Sequence, residues 1–171
     1  NSIKNDFRIL LEQGKEKDEQ EISFTRYKPG FSGYVYDVEI AMKQMKYILS
    51  NDEKKELKNN NNQDKEKLFY QIWKKRDPTP ETEQNELMEE YFQRVEYVNE
   101  HFSDWQQGWE TDRGMIYILF GPPDEIQRTN PSARNSTIYQ IWNYVKVNKQ
   151  FVFRDQNGFG DYRLDTPFIG S

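Results

Sequence analysis

A chain of 171 residues with 35% hydrophobic and 15% aromatic content has the material for one compact domain, or one with a small appendage, built on a ring-rich core. Its 24 basic and 29 acidic residues give a net charge of −5, which argues against nucleic acid as a partner, since phosphate recognition needs a concentrated positive face. The absence of cysteine excludes disulfides, thiolate metal sites and a cysteine nucleophile, and no apolar run approaches the ~20 residues of a membrane span.

The chain starts at Asn1-Ser2 without methionine and without a signal-like segment, which reads as a processed or excised piece of something longer. Residues 1–34 contain two strand-like pieces, Phe7 to Glu12 and Glu21 to Tyr27, around the charged turn Gly-Lys-Glu-Lys-Asp-Glu. A lone hairpin is marginal in water, so this part is expected to be an appendage packed on the rest of the chain or a remnant of a preceding β domain. From Val35 to Leu49, apolar residues recur at three- and four-residue spacing and predict a first amphipathic helix. Lys54 to Gln63, with four consecutive asparagines, offers no apolar face and is expected to be a mobile connection. Leu68, Phe69, Ile72 and Trp73 restore helical spacing in a second helix that must stop near Asp77, ahead of Pro78.

A third helix is predicted from Thr79, a good N-cap, with Pro80 in its first position and Glu81 and Glu83 at the positive end of its dipole. Leu87, Met88, Tyr91, Val95, Val98 and Phe102 form its apolar stripe, expected to cover one face of a sheet. Beyond it the period reads as two: MIYILF, TIYQIWNYV, QFVFR and DYRL predict an antiparallel meander of three or four strands. The polar QRTNPSARNS segment is excluded from any central strand, and Asn157-Gly158 and Gly160 mark the last turn. Helices followed by consecutive strands give an α+β fold, residues 35–171, with a helical part over 35–104 and a β part over 109–165.

The stretch Gly108-Trp109-Glu110-Thr111-Asp112-Arg113-Gly114 sits at the junction of the two parts. Gly108 can supply the positive φ of a chain reversal, Trp109 can plug the core, Asp112 can accept loop amides, and Arg113 can fork onto carbonyls or a carboxylate. The other loop of similar chemistry is Arg76-Asp77-Pro78-Thr79-Pro80, which would lie at the far end of the third helix, about 30 Å away at 1.5 Å per residue. His101 is the one histidine and has no nucleophile loop to serve, so it reads as helix-terminal. The acids at 81, 83, 86, 89 and 90 read as a solvated helix face, and neither metal nor cofactor is expected. Asp124-Glu125 reads as the cap of a short helix, Gly121-Pro122-Pro123 as a rigid corner closing the first strand, and Asn135-Ser136-Thr137 fits the N-glycosylation pattern.

The ordered motifs RDPTP, GWETDRG, FGPPDEI and the aromatic strands after them resemble the GWxTD domain family over about residues 35 to 165. Arg76, Asp77 and Pro78, the Gly108 to Gly114 motif and Gly121-Pro122-Pro123 carry that resemblance. It implies a bacterial, exported protein of the periplasm or outer membrane, often accompanied by a β-rich region, and supplies no catalytic roles. Two functions are expected on these grounds. The first is a non-enzymatic interaction or scaffold module whose partner is another envelope protein or a further domain of the same chain. The second is a hydrolase or a carbohydrate- or peptide-binding domain that stacks ligand on Trp109, Tyr117 or Trp142 and contacts it through Thr111, Asp112 and Arg113, with Arg76 and Asp77 as further motif residues.

Overall fold

The computed structural model describes residues 3–13, 16–26, 33–59, 62–129, 137–156 and 158–167, with backbone alone for 3–13, 16–26 and 62–64. β1 (Ile3–Gln13) and β2 (Glu16–Arg26) pair antiparallel from Ile3↔Arg26 to Gln13↔Glu16. The hairpin is therefore longer than its apolar pieces suggest, and Glu16 to Glu19, expected in the turn, belong to the strand.

α1 (Val38–Gln44) starts where the Asp37 carboxylate accepts the amides of Glu39 and Ile40, at 2.7 and 3.1 Å. A short 3-10 turn, Met45–Tyr47, joins it to α2 (Asn51–Asn59), and α3 (Asn62–Lys75) comes next. The polar stretch expected as a connection is thus largely helical. Its start is a capping box: the Ser50 hydroxyl accepts the Glu53 amide at 3.2 Å and the Glu53 carboxylate accepts the Ser50 amide at 2.8 Å. Asn60 and Asn61 lie outside the described residues.

α4 (Glu86–Phe102) begins six residues later than a cap at Thr79 would have it. Thr79 to Thr82 closes a turn instead, and the cap is Asn85, whose side chain accepts the Met88 amide at 2.9 Å while donating to the Trp73 carbonyl at 2.8 Å. Asn85 wins because one buried amide both caps α4 and satisfies the end of α3.

The largest departure is MIYILF, which forms the C-terminal part of α5 (Asp112–Phe120) rather than a strand. Ile118 packs into the helical core while Ile116 packs into the sheet core, and Tyr117 touches both. A helix between two layers is apolar on opposite sides, so its sequence shows no stripe and cannot be told from a buried strand by period. Consequently α5, not α4, covers the sheet. The α4 stripe packs on α1, α3 and the inner side of α5, and only its last residue, Phe102, reaches Trp142, with ring centroids 5.7 Å apart.

The first strand of the sheet is β3 (Glu125–Arg128), succeeded by β4 (Ile138–Tyr144), β5 (Lys149–Asp155) and β6 (Tyr162–Leu164), all neighbours antiparallel. Glu125 opens that strand instead of capping a helix, and Asp124 accepts the Val145 amide at 2.7 Å. Gly121, at φ 78°, ends α5 and not a strand. The architecture is α+β, with five α-helices and a four-stranded antiparallel meander among the described residues. Asn135, Ser136 and Asn157 lie outside them.

Candidate functional site

The motif around Trp109 is assembled from the end of α4. The Ser103 hydroxyl donates to the Asn99 carbonyl at 2.7 Å and accepts the Gly108 amide at 2.8 Å, while the Asn99 side chain accepts the Trp109 amide at 3.1 Å. The chain thus turns back and lies directly on the helix it has just left. Gly108 does not take a positive φ; what it supplies is proximity, since an added Cβ would sit 1.8 Å from the Val98 carbonyl oxygen. Buried Thr111 then donates its hydroxyl to the Gly108 carbonyl at 2.8 Å and accepts the Gly114 amide at 2.9 Å, which caps α5. The stretch expected as a turn before a strand is a helix N-terminus.

The remaining motif side chains face in different directions. Trp109 is half-buried against the helical core rather than at the sheet; its carbonyl accepts the Tyr47 hydroxyl at 2.7 Å, and the Lys46 ammonium lies 4.6 Å from its ring centroid. Burial lowers the Lys46 pKa, against the opposing pull of Glu110 and Asp112. Asp112 accepts the Leu164 amide of β6 at 2.7 Å, so it anchors the sheet edge to α5 instead of holding its own loop. Arg113, expected to fork onto oxygen acceptors, lies over the rings of Tyr162 and Phe102 at 4.3 and 4.9 Å, where burial lowers its pKa. Tyr117 stacks on Tyr97 at 4.6 Å, and Tyr97 on His101 at 4.0 Å, so the histidine belongs to a surface ring stack. Trp142 is 1% exposed and has no face to offer a ligand.

Arg76 and Asp77 form a separate arrangement. Arg76 donates to both carboxylate oxygens of Glu53 at 2.8 Å and to the carbonyls of Ile72 and Ile48 at 3.1 Å, and Asp77 accepts the Thr79 amide at 3.0 Å. Arg76 and Trp109 therefore grip adjacent residues, Ile48 and Tyr47, without sharing a site. The Arg76 bonds hold the Glu53 carboxyl down to about 2 from 4.5, with burial opposing. A depressed carboxyl stabilises the fold above its unfolded pKa and loses that contribution as pH falls from about 4.5 towards about 2. Arg76→Met is expected to lower stability at pH 7 by about 3 kcal/mol, the low end for a buried pair because a quarter of the arginine side chain is exposed. Denaturation at stepped pH should show the gap between wild type and variant narrowing between pH 4.5 and 2. A gap of constant size would mean that the ion pair is not its source.

With that geometry in place, a family model described as the GWxTD domain matches residues 10–165. The chain belongs to the GWxTD domain family. The match starts inside β1, ahead of residue 35 where the motif-based resemblance began. Comparisons with curated proteins and with solved structures gave no match. In this GWxTD domain the residues that position the motif lie mostly outside it: Asn99 and Ser103 at the end of α4, Tyr47 and Lys46 on the 3-10 turn, and Leu164 on β6. Ser50-x-x-Glu53 was a readable signal for the capping box beneath Arg76; the contacts around the motif join distant segments and leave no local pattern. Among the described residues, no group of three histidine, aspartate or glutamate side chains has metal-holding geometry, and no helix is long and apolar enough to cross a membrane.

Proposed function

We propose that this domain is a non-enzymatic interaction or scaffold module of a bacterial cell-envelope protein. The observation that carries the reading is the use made of the motif. The Thr111 hydroxyl, the Asp112 carboxylate and the Arg113 guanidinium each meet a partner within the fold, so the motif ties α4, α5 and β6 into one body. A reactive group needs a base and room for substrate, whereas these three side chains are engaged within the fold. Large rings are displayed elsewhere, notably Trp105 at 72% and Phe159 at 90% exposure. Such rings suit docking.

The test is chemical denaturation of three variants, with partner capture by the full-length protein measured beside it. Asp112→Ala should cost about 1 to 2 kcal/mol by leaving the Leu164 amide unpaired. Trp109→Ala should cost about 2 to 3 kcal/mol, below the ~3 to 5 of a fully buried ring. Arg113→Ala should also lower the midpoint through lost ring contact. Unchanged midpoints for all three with partner binding lost would turn the motif into a recognition loop.

A further inference from the structure

Trp105 and Phe159 line one concavity of about 290 Å³, at the small end of ligand pockets. Both rings stand in turns closed by side-chain-to-amide hydrogen bonds. The Phe159 turn joins β5 to β6 and is held by Asp155, 1% exposed, whose two carboxylate oxygens accept the amides of Gly158 and Gly160 at 2.8 Å each. Both glycines sit at positive φ, 73° and 90°, conformations that side-chain-bearing residues rarely adopt. A buried carboxylate and two left-handed glycines thus hold out a phenylalanine that touches little of its own protein. Trp105 comes directly after Asp104, which closes its own turn by accepting the Gln106 amide at 2.9 Å. Rings displayed on pre-formed loops bind without a large ordering cost.

The rest of the lining selects the ligand. Among the described residues the remainder is polar: Arg154, Asp155, Gln156, Asp161 and Arg163, with no aliphatic side chain to receive the anchor residue of a peptide. Both cations have partners: Arg163 is paired with Asp161 at 2.9 Å and lies 5.6 Å over the Trp105 ring, and Arg154 is paired with Asp165 at 3.5 Å. A phosphate or carboxylate would find no unmatched positive charge here. Flat rings beside half-exposed guanidinium, carboxylate and amide groups match a sugar, whose C–H face packs on an aromatic ring while neighbouring hydroxyls both donate and accept. We infer that the Trp105–Phe159 cleft binds a neutral saccharide, an assignment that rests on the interaction reading above and gives that module a ligand class.

The test is a glycan array carrying neutral and acidic oligosaccharides, probed with the whole chain and then extended to titration of the retained neutral oligosaccharide. Trp105→Ala and Phe159→Ala, both at exposed positions, should keep the wild-type melting temperature and each weaken binding at least tenfold. Ile126→Ala, on exposed β3, should leave binding unchanged. Retention of no glycan, retention of acidic glycans alone, or neutral-glycan binding indifferent to both ring variants would overturn the assignment. Partner capture lost with either ring variant in the absence of any glycan binding would also overturn it and leave the interaction reading standing. Ring-dependent binding with cleavage of the glycan would support the saccharide site and remove the non-enzymatic reading.

Discussion

Gly108→Ala is expected to abolish stable folding, or to cost more than about 4 kcal/mol if the domain survives. The added Cβ would lie 1.8 Å from the Val98 carbonyl oxygen, 2.4 Å from its carbon and 2.8 Å from the Asn99 Cα. All three atoms are backbone of α4, so no rotamer change relieves the clash. Ordinary overpacking costs about 1 to 3 kcal/mol because side chains yield; a helix backbone yields only by moving the helix. Gly114→Ala meets the same difficulty one layer further on, with the Gly108 carbonyl oxygen 1.9 Å from its Cβ. Each loss is a large part of the roughly 5 to 15 kcal/mol that holds a domain together. Gly33→Ala is the control, since among the described residues its Cβ would touch only the end of the Glu89 side chain, at 3.4 Å. Urea unfolding of the three variants checks this. A loss under about 1 kcal/mol for Gly108→Ala would mean that the motif does not pack on α4 in this way.

Trp142→Ala should be the most damaging truncation on the sheet, at about 3 to 5 kcal/mol. The ring is 1% exposed and packs against Phe153, Phe102 and Tyr117 at 4.8, 5.7 and 6.4 Å. It therefore joins the sheet to both α4, at its end, and α5. Its indole N–H has no acceptor among the described residues, so Trp142→Phe forfeits no hydrogen bond and should recover most of the loss. A ring kept for ligand would respond differently: Trp142→Ala would lower binding and leave the denaturation midpoint in place.

The α4 stripe was legible in the sequence because that helix buries one side only, and β4 and β5 because Trp142, Tyr144, Phe151 and Phe153 alternate with half-buried or exposed neighbours. α5 was not legible, because burial on opposite sides erases the period from which helices are read. The start of α4 was misplaced because Thr79-Pro80 satisfies the local rules of a cap, whereas the cap that formed, Asn85, is chosen by the Trp73 carbonyl it also satisfies. Arg76, Asp77, Trp109, Thr111, Asp112 and Arg113 were identifiable as a special set, and their partners were not. Asp112 was expected to accept from its own loop and accepts from Leu164, 52 positions away.

By itself the sequence determined the α+β class, the aromatic core, the hairpin at the start and the absence of thiol chemistry, since these stem from composition and from periods that local backbone geometry imposes. Only the tertiary structure decided that α5 lies between helices and sheet, that Gly108 is a point of backbone contact, and that Trp105 and Phe159 share an exposed cleft. These are meetings of segments far apart in the chain, selected by shape and by the satisfaction of buried polar groups, and neither leaves a periodic mark on the residues that take part.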